Sequence, residues 1–383
     1  MNHGLSSRGR LGLFREVCRF ALTSVVFLAA AGCSSSSHSI SIEKQVWIED
    51  LGAKVEAVTR DSSGNLGIAG AWRSAWAVVT DPAGVVRWKY AEPEANYPAG
   101  ADVNQSSSIF HGVVALPNGN WLFCGDDGYP YKAAALIVIF DANGHVLKRR
   151  SRFAPGEAEG GKASVEGCFR WGDGVGVVGW RSDVGSGGSV WLMKLDRNGS
   201  HQWTKSLPNG SPDHYLRELA DQTLAGLGNV TLGKWSTSGE LLQTSEPVNS
   251  MVSLILRPYD PSETIALLTF NIGESHPKLY TFDETLATVA PPTNLNAFNW
   301  QQGLGYQLPD GSMVLFGRAP GPAIGWLARD GSLLASASIG QTLESVTFND
   351  AVPLSEREFV AVASQNSYQS RTHGLFLTWF LLH

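Results

Sequence analysis

The sequence has little charge and few sulfur-containing residues. Charged residues make up 17% of the 383, and cysteine and methionine occur four times each. The formal net charge is -6 and no long run of like charge occurs, which argues against nucleic-acid binding, since that needs a basic face. No Cys-x-x-Cys spacing is present, and the nine histidines lack the close spacing of local metal-binding motifs. We therefore predict no metal, no cofactor and no nucleic-acid partner.

Long helical periodicity is also missing, and the apolar run near the N-terminus is short. It covers residues 20–32, follows Arg15 and Arg19, and has about half the length that a membrane-spanning helix needs. Such a run between basic and small residues is typical of a signal peptide. We assign residues 1–32 to this signal, so the mature protein is expected outside the cytoplasm.

The residues around Cys33 point to a lipid anchor. The segment Leu28–Cys33 resembles the lipobox of bacterial lipoproteins, although Ala30 stands where the usual leucine occurs. The resemblance implies that Cys33 becomes the first mature residue and carries the lipid, palmitate among its acyl chains. A serine directly after the cysteine, here Ser34, resembles the sequence of lipoproteins that are sorted to the outer membrane. The resemblance implies a protein held at that membrane and facing the periplasm or the cell surface. Residues 33–43 are then a polar tether, and an ordinary secretory signal is the alternative.

A turn motif recurs through the rest of the chain. Residues 81–88 and 196–203 share Asp-x-x-Gly-x-x-x-Trp, and residues 141–148 keep the frame without the tryptophan. Each copy follows an apolar run and precedes an alternating one, which predicts β-hairpins. A second series of turns interleaves with the first at a spacing of about 40–55 residues, the period of a four-stranded propeller blade.

Seven such units can be counted, and the last one lacks an outer strand. Residues 44–50 resemble the outer strand at 201–205, so we predict that an N-terminal strand completes the last blade and closes the ring, leaving no exposed edge. The fold class is thus all-β, a seven-bladed β-propeller formed by residues 44–383. A pair of β-sandwiches is the alternative. The inner strands are predicted to begin near Val55, Ile109, Val165, Leu216, Val252, Gln302 and Val346.

One unit carries a family resemblance. The segment Trp191–Lys205 resembles bacterial lipoprotein β-propellers with quinoprotein-like and WD40-like repeats. The resemblance implies a fold and transfers no activity, because one architecture hosts many functions.

Cys124 and Cys168 remain after the signal is removed. Aligning the turn residues Gly119 and Gly174 places Cys124 on the second strand of one blade and Cys168 on the first strand of the next. Facing blades make a bridge geometrically possible, and an oxidising compartment favours it. We predict a disulfide, and two separate buried thiols are the alternative.

Candidate ligand-binding residues are few. His111, on an inner strand, either faces the central channel or is a satisfied core histidine. Asp126, Asp127 and Tyr129 belong to the most acidic loop, where two carboxylates could bind a cation or a sugar hydroxyl, or could instead cap a turn. The glycines of segment 174–179 match a dinucleotide fingerprint, but no helix follows them.

These observations favour a membrane-anchored, non-catalytic binding or scaffold protein of the bacterial cell envelope. Its partner would be an envelope protein or a glycan, bound by rim loops at insertions such as 90–107, 181–189 and 208–214. The alternative is an enzyme that acts on a glycan or another envelope substrate at the channel mouth, and a quinone-dependent oxidoreductase is a third possibility.

Overall fold

The computed structural model describes most of the chain after His38. The described residues are 38–49, 54–72, 74–93, 108–128, 134–151, 153, 162–182, 189–207, 216–227, 231–245, 247, 252–258, 265–270, 277–295, 304–318, 322–338, 346–366 and 373–383. The predicted signal peptide, Cys33 and Tyr129 lie outside them. Every regular element within the described part of the chain is a β-strand.

The repeated Asp-x-x-Gly motif builds tight hairpin turns. In its first copy, the backbone N–H of Gly84 donates to the carbonyl of Asp81, and the N–H of Asp81 donates to the carbonyl of Val85. The Asp81 carboxylate accepts a hydrogen bond of 2.8 Å from the N–H of Val85. Gly84 has a φ of 81°, a left-handed conformation that a side chain disfavours. The aspartate and the glycine therefore have separate roles in one turn.

Within the described residues, twenty-nine strands form seven sheets, each a blade that runs from an inner strand outward. Blade 1 contains β2 (Lys54–Arg60), β3 (Leu66–Trp72), β4 (Ser74–Thr80) and β5 (Val86–Ala91). Blade 2 contains β6 (Ser108–Ala115), β7 (Trp121–Asp127), β8 (Ala134–Phe140) and β9 (Val146–Ser151). Blade 3 contains β10 (Lys162–Trp171), β11 (Gly174–Ser182), β12 (Ser189–Leu195) and β13 (His201–Leu207). Blade 4 contains β14 (Arg217–Glu218), β15 (Leu224–Leu227), β16 (Leu232–Trp235) and β17 (Leu241–Thr244).

The remaining blades follow the same plan with two variations. Blade 5 contains β18 (Val252–Ile255), β20 (Ile265–Phe270), β21 (Lys278–Phe282) and β22 (Thr288–Asn294). Blade 6 contains β23 (Leu304–Gln307), β24 (Met313–Arg318), β25 (Pro322–Leu327) and β26 (Leu333–Ser338), with β19 (Arg257–Pro258) paired in parallel to β23. Blade 7 contains β27 (Val346–Pro353), β28 (Glu358–Asn366), β29 (His373–Leu382) and β1 (Ile40–Glu49).

The N-terminal strand closes the ring. β1 lies antiparallel to β29, with Ile40 opposite Leu382 and Glu49 opposite Gly374. The predicted seven-bladed propeller with an N-terminal outer strand in its last blade is confirmed, and the inner strands begin within three residues of the predicted positions. β1 begins earlier than expected, because residues 40–43, assigned to the tether from sequence, contribute to this pairing.

The core consists of interfaces between blades rather than one central cluster. The described residues form seven buried apolar clusters, and each joins two neighbouring blades. The cluster between blades 7 and 1 includes Ile48 of β1 together with Val55 and Trp76 of blade 1. Burial of apolar surface stabilises each contact between neighbouring blades, including the contact between blades 7 and 1 that closes the ring.

Turn glycines also make room for the preceding blade. A Cβ on Gly144, in a turn of blade 2, would lie 2.7 Å from the indole of Trp88 in blade 1. Trp88 is buried there, and its Nε1 donates to the carbonyl of Ala142 in the same turn. Gly144 has a φ of 85°, so its position requires glycine for backbone conformation and for packing.

Candidate functional site

A channel runs along the inner strands, and described residues of six of the seven blades line it. Its volume is about 890 Å³, and polar side chains line much of it. Four of the inner strands contain a β-bulge at an equivalent place, where one extra residue interrupts the pairing with the second strand. The extra residues are Glu56, His111, Glu166 and Asn349, and all four line the channel. Bulges re-aim side chains and are common beside functional sites.

His111 is tied to a buried carboxylate. Its Nε2 lies 3.3 Å from Oδ2 of Asp126, whose side chain is 2% exposed. The other oxygen of Asp126 accepts a hydrogen bond of 2.7 Å from the backbone N–H of Val165 in blade 3. Burial alone would lower the pKa of His111, but the hydrogen bond and charge of Asp126, with Glu56 and Glu166 nearby, outweigh it and raise that pKa. The arrangement joins blades 2 and 3 through one carboxylate.

A disulfide spans the same interface. Cys124 on β7 of blade 2 and Cys168 on β10 of blade 3 are bonded, with Cα atoms 6.2 Å apart, which confirms the predicted pairing. Gly112 follows the bulge residue His111, and a Cβ there would lie 2.7–2.9 Å from the backbone N of Cys168 and from both sulfur atoms. The glycine therefore allows the histidine and the disulfide to be neighbours.

A second buried carboxylate joins blades 7 and 1. Asp350 is 2% exposed, and its Oδ2 accepts a hydrogen bond of 2.7 Å from the backbone N–H of Val58. Its Oδ1 accepts from the N–H of Ala351 and from Nη1 of Arg257, the latter at 2.7 Å. Nη1 of Arg257 also donates a hydrogen bond to the hydroxyl of Tyr306. Burial raises the pKa of the Tyr306 hydroxyl to about 12. The buried carboxylate between blades 7 and 1 is therefore paired with an arginine, which stays charged, whereas the one between blades 2 and 3 is paired with a histidine.

The two aspartates of the predicted acidic loop have different environments and different partners. Asp126 lies at the end of β7 and points to blade 3, so it does not cap a turn. Asp127 is partly exposed and forms an ion pair of 3.0 Å with Nη2 of Arg149, which also contacts the buried Glu92. The structure therefore brings His111, Asp126 and the disulfide together and leaves Asp127 apart. A ligand for any of them remains a prediction.

Sequence reasoning missed the other bulge residues and the Asp350 pair. Glu56, His111 and Asn349 each stand five positions before the first residue of the turn that follows the inner strand. An alignment of all units on those turns would have marked Glu56 and Asn349 as equivalents of His111. The pairing of Asp350 with Arg257 has no such local signal, because the two residues are 93 positions apart.

Two features are absent from the described residues. They contain no group of three or more His, Cys, Asp or Glu side chains that could hold a metal ion. The described part of the chain likewise includes no helix long and apolar enough to cross a membrane.

The two rims of the ring differ in their connections. On one rim, which we name the turn rim, all six connections from a third strand to an outer strand contain five residues. The opposite rim, the loop rim, joins outer strands to the next blade and second strands to third strands. Its connections range from one residue between β3 and β4 to sixteen between β5 and β6. The three insertions noted in the sequence fall between strand ends on the loop rim.

Known structures share this architecture at low sequence identity. The WD40 domain of Neurospora crassa Pan2 matches with a TM-score of 0.55 and 10% identity, over 85% of this chain and 89% of that one. The Dos1 propeller matches with a TM-score of 0.53 and 9% identity, over 89% and 95%. A protein of unknown function from Dyadobacter fermentans matches with a TM-score of 0.50 and 13% identity, over 90% and 99%. No family model and no curated protein matches the sequence. These likenesses support the β-propeller fold and no more than the fold.

Proposed function

We propose that this protein is a lipid-anchored binding platform of the bacterial cell envelope that holds a partner protein on its loop rim and catalyses no reaction. The supporting observation is the difference between the rims. One rim repeats a five-residue hydrogen-bonded turn in six blades beside inner-to-second-strand connections of two to nine residues, and the other carries connections of one to sixteen residues. Variable connections on a rigid scaffold are where binding residues concentrate, and the ring of seven packed interfaces supplies that scaffold.

The lipobox-like segment supports the anchoring part of the proposal. Acyl chains on Cys33 would anchor the protein, because each CH₂ group buried in the bilayer contributes about 0.8 kcal/mol of binding free energy. Replacement of Cys33 by alanine should abolish labelling by an alkyne fatty acid, whereas the protein with Cys33 should be labelled. Labelling that persists in the variant would contradict lipid attachment at this residue.

The binding part is tested by affinity purification of the lipidated protein from native membranes in mild detergent. One envelope protein should co-purify in a fixed ratio, and replacement of residues 94–105 by a Gly/Ser segment of equal length should remove it. The matched control is Val85→Ser on the turn rim, where Val85 is 64% exposed, and this variant should retain the partner. Loss in both variants, or no partner in several detergents, would overturn the proposal, and capture of a glycan instead would redirect it.

An enzyme acting on a glycan or another envelope substrate is the second candidate. The four bulges favour it, because they direct two glutamates, a histidine and an asparagine into one channel. Paired carboxylates can act as acid and base in glycoside cleavage. If this candidate holds, Glu56→Gln and Glu166→Gln should each abolish turnover of envelope glycans. The midpoint of thermal unfolding should stay the same in both variants. Unchanged turnover would exclude these residues from catalysis.

A further inference from the structure

The chain enters the propeller at the turn rim. Leu382, the last residue of β29, donates its backbone N–H to the carbonyl of Arg357, which belongs to a turn on that rim. Ile40, the first residue of β1, lies opposite Leu382. Ser39 and His383 exchange backbone hydrogen bonds of 2.8 and 3.2 Å one position further out. β1 therefore starts at the turn rim and ends, at Glu49, on the loop rim.

The residues just before β1 are held at the same place. The His38 ring packs edge-on against the indole of Trp326 in blade 6, with ring centroids 5.0 Å apart. Ser41 Oγ lies 2.7 Å from Nε2 of His383. The chain thus reaches the ring at the boundary between blades 6 and 7, and five residue steps separate Cys33 from His38 at this fixed point.

Two lengths decide the orientation that a lipid on Cys33 would impose. Five residue steps span at most about 18 Å when fully extended. The nine steps of β1 from Ile40 to Glu49 rise about 30 Å at the usual strand spacing. A tether that begins at the turn rim is therefore too short to pass the height of the ring and let the loop rim face the bilayer.

We infer that the turn rim faces the membrane surface that holds the lipid and that the loop rim faces away from it. This inference rests on the proposed anchoring at Cys33. A protein partner that binds the loop rim then approaches from the aqueous side, unobstructed by the bilayer. The occupant of the space beside the turn rim is the lipid surface itself.

The turns of this rim hold more acidic than basic side chains, which does not favour adhesion to an anionic bilayer, so we expect the tether to set this orientation. The described turns hold twelve carboxylate side chains and three arginines, and Lys44 and Lys234 of neighbouring strands also reach these turns. The carboxylates are Asp61, Asp81, Asp141, Asp173, Asp196, Asp221, Glu240, Asp283, Glu284, Asp310, Asp330 and Glu356. An anionic bilayer would repel such a rim over about 8 Å at physiological salt, a distance within the reach of the tether.

The test uses two cysteine labels at opposite ends of one strand region in blade 1. Val85 is exposed on the turn rim, directly before β5, and Ala91 is the exposed last residue of β5 on the loop rim. The lipidated variants Val85→Cys and Ala91→Cys each carry a fluorescent donor and are reconstituted into phosphatidylcholine vesicles that contain an acceptor-labelled lipid. Energy transfer should be clearly stronger from position 85 than from position 91. Equal transfer or the reverse order would overturn the inference.

A longer tether supplies the control. Insertion of about 20 Gly/Ser residues between Ser37 and His38 extends the reach beyond the height of the ring, so the difference between the two labels should shrink. A difference that persists unchanged would show that the tether does not set the orientation. Lipid on Cys33 is verified by the mass of the mature protein and by flotation with vesicles. Absence of the lipid overturns the anchoring proposal together with this inference, whereas equal transfer from a lipidated protein overturns the orientation alone.

Discussion

Asp126 is hydrogen-bonded to two blades at once, with Oδ2 lying 3.3 Å from Nε2 of His111 in its own blade and Oδ1 accepting from Val165 N–H in the next blade. Asp350 makes the same kind of link between blades 7 and 1, with Arg257 as its cation. The two interfaces therefore share a design and differ in the cation, which is a titratable histidine in one and a permanently charged arginine in the other.

We expect the stabilisation by His111 to depend on pH. Because its pKa is raised in the folded state, the protonated form is favoured by folding. This contribution is fully present below the unfolded pKa of about 6.5 and is lost as the pH rises through the folded value. His111→Gln should lower the free energy of unfolding by about 1.5–3 kcal/mol in acid, the range for a hydrogen bond to a charged group, and by less at pH 8. Urea titrations across this range measure the difference.

Arg257→Gln is the matched control for that experiment. Arginine stays protonated throughout the range, and burial raises the pKa of Asp350 despite the cation. Loss of Arg257 therefore leaves a carboxylate whose charge is increasingly unfavourable as the pH rises. The cost of this substitution should stay level or grow with pH, and parallel pH profiles for the two variants would contradict the interpretation of His111.

The disulfide should contribute substantially to stability. Cys124 and Cys168 are 44 positions apart, and closing a loop of this size restricts the unfolded chain by about 4 kcal/mol on the chain-entropy account. The double replacement by alanine should lower the free energy of unfolding by up to this amount. Reductant should destabilise the native protein similarly and leave the double variant unaffected. A reductant effect of equal size on both proteins would show that the bond is not its cause.

Gly144 and Gly119 allow packing to be separated from backbone strain. Both have a φ above 80°, but a Cβ on Gly144 meets Trp88 at 2.7 Å, whereas one on Gly119 meets nothing within 4 Å. Gly119→Ala should cost about 1–2 kcal/mol, the penalty of a left-handed alanine. Gly144→Ala should cost about 1–3 kcal/mol more through overpacking. Equal midpoints in urea would indicate that Trp88 moves without penalty.

Removal of β1 should open the ring. Deletion of residues 38–49 along with everything before them exposes the edge of β29 and uncovers Ile48, whose burial is worth about 2 kcal/mol by itself. We expect lower stability and concentration-dependent self-association, because a free strand edge pairs with other chains. The control begins at His38 and keeps the strand. A monomeric deletion variant with unchanged stability, by light scattering and urea titration, would show that closure is dispensable.

The fold was predictable because its signals are local. Asp81 and Gly84 form a turn from four neighbouring residues, and a turn of the same spacing recurs in six of the seven blades, so strand order followed from counting. The closing strand was predictable because residues 44–50 resemble an outer strand of another blade.

The channel was less predictable because a bulge is a property of two strands. Alternation along an inner strand does not reveal that Glu56 or Glu166 stands at a β-bulge, since this depends on the register with the second strand. The link from Asp350 to Arg257 likewise depends on how three blades meet around the axis. His111 and Asp126 were found separately, but their contact was not.

The pairing of Ile40 with Leu382 has a consequence for biosynthesis. β1 is synthesised before the other strands of the propeller and pairs with β29, the last of them, so the seventh blade cannot be completed until β29 has been made. Contacts so distant in sequence carry a large loop-closure entropy and form slowly. Until they form, the chain is an open array with a free edge at each end, which is the state most exposed to proteases and to mispairing with other chains.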